Sequence, residues 1–211
     1  MVKILVLGAT GGLGRYLAQE ALSRRHTVSV LVRNPAKFSQ MFGSNSNKFA
    51  NVFEGDGTNA TVLAEATKNI DVVVSSIGVR PDVASTAAKA LLANNKLGKF
   101  VQVAGSTNVL SSDGVALNWT NYVQVWPGAQ GAYKSHQAVI DAIKATGVNY
   151  VVFCPSVMQS VGSPSFPKMA VRVNRPSGDF VSYEDAAVVM IDAAEVSDWD
   201  GQLITSATER N

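Results

Sequence analysis

Short apolar runs alternate with helical stripes along nearly the whole chain, and that alternation predicts an architecture. Runs rich in branched apolar residues fall at 2–7, 27–32, 49–53, 72–76, 100–104 and 150–154. Most are apolar at successive positions rather than at every second one, which is the pattern of a strand covered on both faces. Between them, apolar residues recur three and four apart and predict helices over 12–24, 35–42, 61–68, 83–95 and 133–146. The first helix shows the rule, with Gly14, Leu17, Ala18, Ala21 and Leu22 on one stripe. A last helix near 184–195 and a terminal strand near 202–206 complete the series. Doubly covered strands separated by helices form a parallel sheet, and right-handed crossovers wind it in both directions. The expected fold class is therefore α/β, a single doubly wound parallel sheet with helices on both faces. One domain over residues 1–211 would hold its ligand in the crevice at the carboxyl ends of the strands.

Two stretches break the alternation. Residues 107–131 are long and mixed and carry Trp119, Tyr122 and Trp126, while residues 156–180 are rich in proline. Excursions of this length on one edge of a sheet read as walls of a site. The three aromatics suit either stacking on a planar substrate or anchoring their own loop.

The strongest local signal is the first strand running into Gly8, Gly11 and Gly14 as a helix opens. Gly8 lets the chain leave the strand in a tight turn, Gly11 leaves room for phosphate, and Gly14 lets the helix pack closely on the strand. A helix start offers unpaired N–H groups and partial positive charge to an anion. This arrangement predicts a dinucleotide site. About twenty residues on, the second strand ends in Arg33 and Asn34, where an NAD enzyme places Asp or Glu for the ribose 2′-hydroxyl. A guanidinium binds a 2′-phosphate that a carboxylate would repel, so NADP(H) is expected over NAD(H). An arginine on a solvated loop is the plainer alternative. Asp56, after the third strand, is placed either to accept from an adenine amino group or, like Thr58, to cap the next helix.

Composition narrows the partners. The chain has 211 residues, 46% hydrophobic and 16% charged, with a formal net charge of +2. No basic run stands out, so neither nucleic acid nor an acidic membrane surface is an expected partner. The chain opens directly in a strand and has no apolar segment long enough to span a bilayer, which leads us to expect a cytoplasmic protein. The single cysteine, Cys154, lies in an apolar run and reads as a buried structural thiol. One cysteine and two histidines make no usual zinc site, and no metal is expected.

In order along the chain stand GATGGLG, VLVRNPAKF, the pair Gly55–Asp56, VVVSSIG, FVQVAGS, HQAVIDAIKATGVNYVVFCPSVM and FVSYEDAAVVMIDAA. This ordered set covers essentially the whole chain. It resembles the atypical short-chain dehydrogenase/reductases, in particular the small NmrA-like group with the biliverdin reductase B type flavin reductases. The resemblance implies a Rossmann fold, in which Gly8, Thr10, Gly11, Gly12, Leu13 and Gly14 hold the pyrophosphate. Arg33 would take the 2′-phosphate, and Asp56 with Gly57 the adenine. Ser76, Ile77 and Gly78 would lie along the ribose and nicotinamide. Ala104, Gly105 and Ser106, with Pro155, Ser156 and Val157, would frame the nicotinamide pocket, and Asp185 matches a structural position near a helix start.

Many short-chain dehydrogenases pair a Tyr with a Lys four residues on, and add a Ser after the fifth strand. The lysine charge lowers the tyrosine pKa so that it passes a proton to a carbonyl. Ser106 and Tyr133 fill two of these places, but Gln137 stands where the lysine would be. Lys134 points about 100° away on the helix. His136 is the other candidate acid, against a reading as a hydrogen-bonded core histidine on the stripe of Ala132, Val139, Ile140 and Ile143. His26, in the turn before the second strand, reads as structural. Ser106, His136 and Asp141 do not form a hydrolytic triad, since the last two sit on different sides of one helix. The resulting expectation is an NADPH-dependent oxidoreductase passing hydride to a small planar or conjugated acceptor such as a flavin, quinone or enone. The alternative is a non-catalytic NADP(H)-binding redox sensor that reports to a protein partner.

Overall fold

A computed structural model describes residues 1–162 and 169–208 of the chain. In order, its elements are β1 (Lys3–Leu7), α1 (Gly12–Ser23), β2 (Thr27–Val32), α2 (Pro35–Phe42), β3 (Asn51–Glu54), α3 (Ala60–Ala66), β4 (Val72–Ser75), α4 (Pro81–Asn94) and β5 (Lys99–Val103). There follow α5 (Trp119–Tyr122), α6 (Ala129–Lys144), β6 (Asn149–Phe153), β7 (Val157–Gln159), β8 (Arg172–Val173), β9 (Phe180–Ser182), α7 (Tyr183–Glu195) and β10 (Leu203–Thr205).

The main sheet has the strand order β3-β2-β1-β4-β5-β6-β10-β8. It is parallel from β3 to β10, and β8 joins antiparallel at one edge. The winding reverses between β1 and β4, which opens a crevice at their carboxyl ends. Alternating side chains show that both faces are covered. Ile4 and Val6 pack with α1, α2 and α7 in one core, whereas Leu5 and Leu7 pack with α3, α4 and α6 in the other. All four are at most 1% exposed, which is why the strands read as unbroken apolar runs.

Local chemistry sets the helix starts. Asn34 Oδ1 accepts from the Lys37 amide at 2.9 Å, with Pro35 in the first turn of α2. Asn59 Oδ1 accepts from the amides of Thr61 and Val62, so it is Asn59, and neither Asp56 nor Thr58, that caps α3. Ser182 Oγ accepts from the Asp185 amide at the start of α7. Asp185 is fully buried and takes the Thr208 hydroxyl at 2.5 Å, a structural position as expected. At the other end of α1, Arg24 donates to Glu20, Asp192 and Glu195 at 2.6–2.8 Å and ties that helix to α7. His26 Nδ1 accepts from the Val2 amide at 3.2 Å while Nε2 meets Glu195 at 2.9 Å, so this histidine holds structure.

Three expectations shift. The strand predicted at 49–53 starts at Asn51, because residues Gly43–Lys48 form a 3-10 helix and Phe49 turns into an aromatic cluster with Phe38 and Phe42, 5.0 and 5.1 Å between ring centres. The helix predicted from 133 begins at Ala129, which moves Tyr133 from the first residue into the second turn. The excursion at 156–180 contains strands too short to carry a period: β7 and β9 pair in parallel as a separate two-stranded sheet, and β8 extends the main one. Residues 163–168 of that excursion lie outside the described residues.

Candidate functional site

The glycine turn forms as its spacing demands. Gly8 adopts φ +84°, and the Gly11 amide donates to the Gly8 carbonyl at 2.9 Å. A Cβ on Gly14 would lie 2.0 Å from the Gly8 oxygen, so helix and turn touch backbone to backbone. Gly14 is accordingly buried beneath the turn rather than facing the crevice. Gly11 caps α1 without a side-chain bond, and the first turn holds no acidic residue, so the positive end of that helix is unneutralised by its own sequence.

Beside this turn lies a cavity of about 480 Å³. Gly8, Thr10, Gly11, Gly12, Leu13, Arg33, Asp56, Gly57, Ser76 and Ile77 all line it. Two cationic residues that sequence reasoning passed over line it too: Lys37, one turn beyond Arg33, and Arg80, at the start of α4. The signal for Lys37 was present in the four-residue step from Arg33 along VLVRNPAKF. Arg80 carried none, since only the tertiary fold sets the start of α4 at the same cavity as Arg33 and Asp56. Arg80 is held by Asp82 through two bonds of 2.9 and 2.7 Å. Asp56 Oδ1 accepts from both the amide and the hydroxyl of Thr58, and these bonds, with Arg80 and Arg33 nearby, hold its carboxyl below the usual range. Asn34 is spent on capping α2.

Ser76 joins this cavity to a second one of about 650 Å³. The Ser76 hydroxyl donates to the Leu7 carbonyl at 3.1 Å, and Gln102 Nε2 donates to the Ile77 carbonyl at 2.9 Å, fixing the chain between β1, β4 and β5. Gly78, Ala104, Gly105, Ser106, Pro155, Ser156 and Val157 all line this second cavity, with His136, Tyr122, Trp126, Met158 and Asp179. The walls are largely hydrocarbon and aromatic. Val157 and Trp126 are 68% and 48% exposed, an apolar rim on the opening.

The three candidate proton donors separate. Ser106 lines the cavity and is nearly buried. His136 stands against Gly105 so closely that a Cβ there would lie 2.9 Å from its Cδ2. Its Nδ1 is buried without a hydrogen-bond partner, so the reading of a satisfied core histidine is overturned. The stripe on which it lies does reach the sheet, but about two turns from the helix start that face meets a cavity, not a strand. Burial lowers the His136 pKa below 6.5 and keeps the ring neutral at pH 7. Tyr133, one residue from Ala132 and therefore about 100° around the helix, is not among the lining residues. It stacks on Trp119 with ring centres 6.0 Å apart. Its neighbour Gln137 is fixed between Asn108 and Asp141. The aromatics of the first excursion thus divide: Trp119 anchors the loop on Tyr133, while Tyr122 and Trp126 face the cavity. Cys154 is fully buried, and burial pushes its thiol pKa up.

Comparisons with known proteins bear on the family and the fold. A family model described as NAD(P)H-binding matches residues 8–196. The uncharacterized protein YwnB of Bacillus subtilis (strain 168) is 25% identical over 220 residues, 99% of each chain. Phenylcoumaran benzylic ether reductase PT1 of Pinus taeda is 37% identical over 81 residues, 36% of this chain and 26% of its own, so the match takes in about a quarter of that reductase. The solved structure of a short-chain dehydrogenase/reductase from Veillonella parvula DSM 2008 in complex with NADP is alike in fold, with a TM-score of 0.76 at 15% identity over 98% of this chain and 94% of that one. Among the described residues no helix is long and apolar enough to cross a membrane, and no cluster of side chains is suited to hold a metal ion.

Proposed function

This chain belongs to the NAD(P)H-binding family, and from that premise we propose that it is an NADPH-dependent oxidoreductase acting on a small planar or conjugated acceptor. The observation that carries the reading is the junction at Ser76, where a polar, cation-bearing cavity meets an apolar one. The first suits a dinucleotide. The turn from Gly8 to Leu13 and the uncapped start of α1 would hold the diphosphate, with Gly14 supporting the turn from below. Arg33, reinforced by Lys37 and Arg80, would hold a 2′-phosphate, which favours NADP(H) over NAD(H). Asp56 and Gly57 would lie at the adenine, and Ser76, Ile77 and Gly78 at the ribose and nicotinamide. When bound, the reduced nicotinamide supplies hydride.

The second cavity suits the acceptor. Ala104, Gly105, Pro155, Ser156 and Val157 would form its inner wall, and Tyr122 and Trp126 would pack on the faces of a flat ring. His136 and Ser106 are the side chains we assign to hydrogen-bond the acceptor atom on which negative charge develops. Tyr133 is given no proton-transfer role, because its ring is engaged by Trp119 and Gln137, not a lysine, stands four residues on. Without a strong acid, the site suits acceptors that take hydride easily and are protonated by water. A free, buried thiol also fits the cytoplasm as the working compartment.

The test is oxidation of NADPH, followed at the reduced-nicotinamide absorbance band, with a panel of flavins, quinones and enones. Turnover with at least one class supports the reading. Tight NADPH binding with no oxidation across the panel would replace it with a nucleotide-binding redox sensor.

A further inference from the structure

A third cavity, of about 360 Å³, shares Tyr122 and Asp179 with the apolar one. The character changes between the two. Ser112, Asn118, Asn121 and Ser177 bring amide and hydroxyl groups to the third cavity, where the inner one has mostly carbon. Asn118 is buried, 3% exposed and donating to the Ser106 carbonyl at 3.0 Å, while Asn121 reaches its Oδ1 at 3.4 Å from an exposed position. Among the described residues lining either cavity, Asp179 is the only charged side chain at neutral pH, given a neutral His136.

An apolar chamber beside a hydrogen-bonding one, with a lone carboxylate between them, describes a ligand of two parts. We propose that the acceptor carries its planar conjugated ring in the inner cavity and an uncharged, hydroxyl-bearing tail in the outer one, and that Asp179 selects against anionic tails. This rests on the reductase reading for the ring, but not for the tail. A hydroxylated tail would exchange hydrogen bonds with Asn121, Ser112 and Ser177, while a phosphate or carboxylate at the same place would face Asp179 with no cation among the described lining residues, Arg172 standing behind them on the Pro176 carbonyl at 3.3 Å.

Three flavins with one ring and different tails test the proposal: lumiflavin with a methyl, riboflavin with a neutral polyol, and FMN with a phosphorylated polyol. Their dissociation constants would be measured by flavin fluorescence on the protein saturated with NADP⁺, where no turnover occurs. Riboflavin is expected to bind about 3- to 30-fold tighter than lumiflavin, the worth of one or two net hydrogen bonds. FMN is expected to bind about 3- to 10-fold more weakly than riboflavin at low salt. Asp179→Asn should restore most of the FMN loss and leave riboflavin within about twofold, and Asn121→Ala should lower riboflavin towards lumiflavin without moving lumiflavin. Equal binding of lumiflavin and riboflavin, FMN as tight as riboflavin, or no saturable binding of any flavin would each overturn it. NADPH oxidation with a simple quinone in the same preparations reports on the reductase reading separately. Quinone turnover without tail dependence removes the two-part acceptor alone; graded flavin binding without any turnover keeps the tail-selecting site and removes the reductase.

Discussion

One chemical change, Gly to Ala, should move this protein in opposite directions at two positions. At Gly131, in the first turns of α6, an added Cβ meets nothing within 4 Å, and the helix gains from the stiffer residue. The gain is about 0.5 kcal/mol, or a rise of roughly 1–2 °C in Tm for a chain of this size. At Gly14 the same methyl would lie 2.0 Å from the Gly8 oxygen and 2.6 Å from its carbonyl carbon. Neither is the end of a flexible side chain, so relief requires the turn itself to move. That places Gly14→Ala at the upper end of overpacking costs, about 3 kcal/mol, a fall of roughly 6–12 °C. Because the displaced atoms belong to the turn beside the nucleotide cavity, NADPH affinity should fall as well. Thermal melts with and without NADPH, alongside calorimetric titration, read both effects. A Gly14→Ala protein melting within 2 °C of wild type with unchanged NADPH affinity would refute the packing argument, as would a clear loss of stability at Gly131→Ala.

Other expectations follow from single contacts. Arg24→Ala leaves Glu20, Asp192 and Glu195 facing one another between α1 and α7; partial exposure tempers the loss to about 1–3 kcal/mol, visible as a lower urea midpoint, and an unchanged midpoint would show the network to be ornamental. Burial holds the His136 pKa below 6.5 in the folded chain, so the unfolded chain takes up the proton first. This contribution is complete above pH 6.5 and is lost as pH falls through the window below it. His136→Gln should therefore flatten the melting curve against pH between 7.5 and 5, and superimposable curves would contradict a desolvated ring. Cys154, fully buried with a raised pKa, should resist a thiol reagent in the native protein and react on unfolding; rapid native labelling would place it elsewhere.

Most of the sheet was legible because its central strands are buried on both faces, so Val28 to Val32 or Val72 to Val74 can be read without knowing their neighbours. The nucleotide cavity was legible for a related reason: Gly8, Gly11 and Gly14 do their work on one another and are close in sequence. What escaped depends on contacts distant in sequence. Arg80 reaches the cavity only because the fold sets the start of α4 there with Arg33 and Asp56, and Asp179 reaches the second one from the far end of the chain. The strands β7 to β9 have two or three residues each, too few for a period to show. Tyr133 misled because the helix containing it starts four residues earlier than its apolar stripe suggests, with Gly128 and Gly131 disguising that turn as loop. His136 fell on an apolar stripe, but only the fold shows that this stripe overruns the sheet and ends at a cavity.

Calorimetric titration of wild type and Arg33→Ala with NADPH and NADH decides whether the cavity beside the glycine turn holds NADP(H) through Arg33. We expect NADPH to bind wild type more tightly than NADH, and the substitution to weaken NADPH by about 10-fold or more, the worth of one charge-assisted bidentate contact, while NADH changes little. No heat with either nucleotide, or equal losses for both on removing Arg33, would contradict it.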